Sequence, residues 1–297
     1  MPMEREESSL KKESEITGVA LCLFILLSMT AGIIRNRLSG LIGETAEGLI
    51  VILIQMLALI IPYCIVQKIN QKAADGRRLS ADETAAVVPV FLAVFFLYFT
   101  ANLISSALFR SAGIESAEET SLPSGKAGII LFFVSYTFIS AVLEELFFRR
   151  ALLGILRPYG KWASISISSV IFAVSHWDAV RVIPVFVFAF FLGLSYVETN
   201  KIRFPVIIHT LNNILAFFNI WITENGDPRT GASIMIAAAI IGFVCLVVLV
   251  VVLPLGKISA AEKPDERENA SEFFTWPVIT AAAAYAVILV RSCGVFR

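Results

Sequence analysis

Residues 128–149 read GIILFFVSYTFISAVLEELFFR. The run from Gly128 to Val142 is apolar, and with the residues after it approaches the ~20 that a helix needs to cross a bilayer. Then Glu144, Glu145 and Arg149 follow within six positions. Charge near hydrocarbon is costly, so an ionisable group there is by default a functional-site hypothesis. Two other apolar runs end in the same way. One closes on Phe172-Ala173-Val174-Ser175-His176, and another contains His209-Thr210-Leu211-Asn212-Asn213. These hold the chain's two histidines. The remainder reads as a membrane scaffold that brings the three stretches together.

Composition supports that class. Of 297 residues, 57% are hydrophobic and 16% charged, where soluble domains carry about a quarter charged. No long stretch shows the dyad alternation of a membrane barrel, so the fold expected is all-α, a polytopic integral membrane bundle of about 8–9 helices. Formal net charge is zero, which leaves no basic surface for nucleic acid. Cys22, Cys64, Cys245 and Cys293 sit in separate apolar segments without CxxC spacing and read as buried thiols.

In chain order, residues 1–15 form a polar, mixed-charge tail expected to be disordered. Residues 16–110 hold helices near 16–34, 49–66 and 86–108. A core at 126–223 holds a fourth helix from 128 to at least 148, a turn at Pro158-Tyr159-Gly160, a fifth from Trp162 to His176, a sixth at 180–197 and a seventh at 204–221. Residues 231–297 hold an eighth helix at 232–253, a polar linker from Lys257 to Ser271, and a ninth at 277–290. Nine helices is the count, with eight as the alternative. Lysines and arginines favour the N-terminal side of this arrangement by about two to one, which predicts a cytoplasmic N-terminus.

Spacing divides the charges at 144–149. Residues four apart share a helix face, and neighbours point about 100° apart. Glu145 and Arg149 can therefore pair. Glu144 is left facing Ser140, Ala141 and Phe148, where small residues leave room for water or substrate. Glu144 is the candidate reactive carboxylate, supported by Glu145 and Arg149. Phe172 and His176 share a face, as do His209 and Asn213. A carboxylate, two imidazoles and a carboxamide suit hydrolysis, with a base for water and donors for an oxyanion. Glu144, His176 and His209 are equally a candidate ligand set for zinc. A lone membrane histidine is often a helix–helix hydrogen bond, and a lone glutamate pair an interfacial feature. Three such stretches using both histidines argue against coincidence.

On these residues the chain resembles the CPBP family, the CAAX-protease and bacteriocin-processing group that includes type II prenyl-protein endopeptidases. The family pattern is EExxxR, then FxxxH, then HxxxN. Glu144, Glu145 and Arg149 match the first motif, Phe172 and His176 the second, His209 and Asn213 the third, and Thr199 and Pro205 also fit. The resemblance implies an intramembrane endopeptidase of metallo or glutamate type. The residues matching Glu144 and His176 would activate water, and those matching His209 and Asn213 would stabilise the oxyanion. It also implies a peptide or protein substrate at the membrane, with lipidated tails as candidates, and contact with membrane lipids.

Counting ~1.5 Å per residue places Glu144 and His209 about a third of the way in from the cytoplasmic face, with His176 deeper. Convergence then requires the fifth helix to be tilted or to start well inside that boundary. Two other functions compete: a proton-coupled carrier using the same buried groups, and an immunity-type scaffold that keeps the motifs without activity. The chain shows no inverted repeat or broken midplane helix that would favour a carrier.

Overall fold

The computed structural model describes residues 2–38, 41, 43–69, 78–116, 121–252 and 274–292. Among them are helices and no strand. In chain order these are α1 Pro2–Leu38, α2 Glu44–Ile69, α3 Ala81–Ser111, α4 Lys126–Tyr159, α5 Lys161–Val174, α6 Ala179–Thr199, α7 Arg203–Asn225, α8 Pro228–Val252 and α9 Trp276–Ser292. Seven of them, all but α5 and α9, are long and apolar enough to cross a membrane. This is the all-α membrane bundle expected.

Two expectations are corrected. The N-terminal tail is not irregular: residues 2–15 are the first turns of α1. Ser14 is buried there and its Oγ lies 3.1 Å from Thr275 Oγ1, just ahead of α9. Packing against α9 supplies what the polar composition of this segment does not. The fifth helix does not reach His176. It stops at Val174 after 14 residues, which is about 21 Å of rise against a hydrocarbon core of ~30 Å. The Lys257–Ser271 linker and Cys293 lie outside the described residues.

Capping chemistry sets several boundaries. Ser80 and Glu83 form a reciprocal capping box that starts α3 five residues before the apolar run, satisfying backbone donors that have no helical partner. Gly160, with φ +99, makes the reversal between α4 and α5. A side chain at that φ would be strained.

Buried aromatics tie the centre together. Phe24 of α1, Phe147 and Phe148 of α4 and Phe172 of α5 share one cluster. Phe91 and Phe95 of α3, Phe188 of α6, and Phe204 and Ile208 of α7 share another. α8 closes on α3 at Gly242, where an added Cβ would collide with the Leu92 carbonyl and crowd Phe96. Small residues allow such close approach between membrane helices. Gly242→Leu is therefore expected to push α3 and α8 apart and cost about 1–3 kcal/mol, as overpacking does, read as a lower melting temperature in detergent.

The α4–α5 hairpin decides where the motifs meet. Its arms run antiparallel from Gly160, with Arg149 against Ser168 and Phe148 against Phe172. Phe172 thereby meets Phe148 and Arg149, which puts the second motif beside the first.

Candidate active site

Glu144 and Glu145 lie on a segment of α4 framed by two π-helical stretches, Ser135–Ile139 and Leu146–Leu153. Such wider turns recur at functional sites because they redirect backbone groups. Here the Ser140 N–H, which in an α-helix would bond Tyr136 O, bonds Ser135 O. Tyr136 O accepts a hydrogen bond from Asn213 Nδ2 at 3.0 Å. The irregularity of α4 is the docking point for α7.

Glu145 is enclosed. Its side chain is 0% exposed, as is that of Arg149. One oxygen accepts from Arg149 Nε at 3.0 Å and the other from His209 Nδ1 at 2.9 Å. The i,i+4 pair read from the sequence is present, and it carries a third member from α7. Arg149 also donates from Nη1 to Ser168 Oγ at 3.2 Å, and Ser168 Oγ in turn donates to Phe148 O at 2.8 Å. The guanidinium carbon sits 4.9 Å from the centre of the Phe172 ring. These bonds compensate most of the buried pair, while Arg149 Nη2 is buried without a hydrogen-bond partner.

Glu144 has the opposite surroundings. Its Oε1 accepts a hydrogen bond from Ser140 Oγ. Its Oε2 lies 3.9 Å from His209 Nε2, and its side chain keeps 19% exposure. That separation is beyond a direct hydrogen bond.

The two imidazoles are oriented through their Nδ1 atoms. His176 Nδ1 is 2.9 Å from Phe172 O. A carbonyl only accepts, so Nδ1 carries a proton. His209 Nδ1 donates to the Glu145 carboxylate, which turns Nε2 toward Glu144. Phe172 is the shared wall, with its ring centre 5.0 Å from the His176 ring and 5.9 Å from the His209 ring. Phe188 packs edge-on against His209 at 5.4 Å.

The structure therefore gathers Glu144, Glu145, Arg149, Phe172, His176 and His209 by direct contact or across Phe172. Asn213 lies one turn beyond His209 and faces Tyr136. Ser168, Phe188 and Tyr136 were not singled out in the sequence. Ser168 had a signal, because Ser164, Ser168, Phe172 and His176 recur every four residues on one face of α5 and the turn after it. Phe188 and Tyr136 had none, since their partners come from other helices. As for zinc, no three His, Cys, Asp or Glu side chains among the described residues are grouped to hold a metal ion. The donors that face each other are Glu144 Oε2 and His209 Nε2, 3.9 Å apart.

A family model described as type II CAAX prenyl endopeptidase Rce1-like matches residues 126–215, a segment that contains all three motifs. The chain is also 27% identical over 179 residues to a membrane-embedded CAAX protease, MroQ, of Staphylococcus aureus (strain USA300). That alignment covers 55% of this chain and 71% of the relative. No solved structure matches the chain.

Proposed function

We infer the chemistry from the premise that the chain belongs to the CPBP family of membrane CAAX proteases: it is an intramembrane endopeptidase in which Glu144 activates water. One observation carries this reading. Two adjacent carboxylates are held differently, Glu145 sealed by Arg149 and His209, Glu144 bonded by Ser140 on one oxygen while the other, 3.9 Å from His209 Nε2, takes no direct hydrogen bond from it and the side chain keeps 19% exposure. A general base needs a free lone pair within reach of water.

The steps follow from the chain's own groups. A water between Glu144 Oε2 and His176 Nε2 gives its proton to the carboxylate and attacks the scissile carbonyl carbon. The carbonyl oxygen becomes an oxyanion, which accepts from a protonated His209 Nε2 and from the second N–H of Asn213 Nδ2. Collapse of the intermediate breaks the C–N bond, and Glu144 returns its proton to the leaving amine. Glu145, Arg149 and Phe172 hold the two imidazoles in place. Preorganised donors of this kind are worth about 10²–10³ in rate for each one removed. The substrate is a peptide or protein segment presented at the membrane, with lipidated tails among the candidates. The excess of lysine and arginine on one set of loops supports a cytoplasmic N-terminus.

The test uses purified protein in detergent with a library of peptides, lipidated and plain, assayed with and without a chelator. Cleavage that survives the chelator is expected. Cleavage lost with the chelator and restored by zinc would replace the glutamate mechanism with a metal one. Absence of cleavage across the library, with ion-coupled uptake in vesicles, would favour a carrier.

A further inference from the structure

His176 is the one proposed catalytic group that is not on a helix. It occupies the connector Ser175-His176-Trp177 between α5, which ends at Val174, and α6, which starts at Ala179. An imidazole on a connector needs restraint from both sides. Upstream, its Nδ1 donates to Phe172 O and its ring packs on Phe172. Downstream, the chain passes through Trp177 at φ +57, a left-handed conformation that L-residues other than glycine adopt only when their surroundings impose it.

Asp178 supplies that imposition. It is 2% exposed, and both of its oxygens are engaged. Oδ1 accepts from Val180 N–H at 2.9 Å, which makes Asp178 the N-cap of α6. Oδ2 accepts from Ser116 Oγ, in the connection between α3 and α4. A cap requires only one oxygen. The second oxygen fastens the turn to a segment 62 residues upstream in sequence.

We propose that Asp178 is a positioning residue for His176: by clamping Val180 N–H and Ser116 Oγ together it holds Trp177 left-handed and keeps the His176 ring on Phe172 with its Nδ1–H on Phe172 O. The kinetic half of this proposal rests on the proteolytic reading above, and the structural half does not.

Because the chain has two histidines, protein labelled with 15N-histidine gives two sets of imidazole signals. His209→Gln assigns them. In wild-type protein, His176 is expected to show a protonated Nδ1 and an unprotonated Nε2. In Asp178→Ala the two His176 nitrogens should average toward each other while the His209 signals stay in place. Asp178→Asn should restore the wild-type pattern, since its amide oxygen still accepts Val180 N–H and its N–H can meet the Ser116 hydroxyl. With a cleavable peptide, Asp178→Ala should lower kcat roughly ten- to a hundredfold with KM little changed, about what a displacement near 1 Å costs. Unmoved His176 signals in Asp178→Ala would overturn the proposal. If that variant does not fold, Ser116→Ala, which keeps the cap to Val180, decides on the same signals. Perturbed His176 signals with undiminished kcat, in a background where Glu144→Gln is inactive, would overturn the catalytic half. Perturbed signals together with an active Glu144→Gln protein would instead refute the proteolytic reading and leave the clamp standing.

Discussion

Glu144→Gln is expected to lower peptide hydrolysis by roughly 10²- to 10⁴-fold, the range supplied by a general base, while leaving the protein folded. The introduced glutamine has nearly the same volume and keeps an oxygen to accept from Ser140 Oγ, so the contact within α4 survives. Its amide has no basic lone pair for a proton from water. Glu144 is also the less enclosed of the two glutamates, and no arginine neutralises it in a direct pair. The fold therefore has little to lose. The measurements are initial rates on a cleavable peptide and a melting curve on the same preparation. Turnover within a fewfold of wild type would remove Glu144 from the mechanism. A large drop in melting temperature would mean that its role is structural.

Arg149→Met is expected to act the other way, on stability first. Removing the guanidinium leaves the Glu145 carboxylate buried at 0% exposure with only His209 to face it. Breaking one side of a buried pair costs about 3–5 kcal/mol, because the surviving charge has no solvent. The single variant should melt much earlier or accumulate poorly in membranes. Glu145→Gln combined with Arg149→Met should recover most of that loss, since both charges leave together and the replacements are similar in volume. Activity should stay low in the double variant. The amide that replaces the Glu145 carboxylate is neutral and holds His209 Nδ1 less firmly, and the Ser168 contact to Arg149 is gone. A single variant as stable as wild type would show that the pair is not the anchor described here.

The contrast between these two neighbours shows how far sequence reasoning reaches. Ser140–Glu144 and Glu145–Arg149 are each four apart on one helix, so local geometry was enough to pair them. The next partner of Glu145 is His209, 64 positions away. No periodicity could predict that bond, because it depends on how α7 docks against α4. The expectation that Asn213 and His209 aim at one point was drawn from their spacing on a regular helix. The π turn at Ser135–Ile139 then drew Asn213 onto Tyr136 O, which spacing could not anticipate.

Residue counting left convergence of the motifs conditional on a fifth helix that is tilted or starts inside the cytoplasmic boundary. Counting residues assumed that each apolar helix spans the bilayer. α5 has only 14 residues and packs on α4 through Ser168 and Phe172. The Ser175-His176-Trp177 connector is bonded upstream to Phe172 O and followed downstream by Asp178, the N-cap of α6.

Residue chemistry in series thus determined the class of this protein, its membrane helices and the residues proposed to react. Apolar length and i,i+4 spacing are local properties that do not wait for packing. Tertiary structure alone decided which glutamate is sealed and which stays open. That choice depends on a burial and a hydrogen bond contributed by α7, and burial exists only once helices distant in sequence have come together.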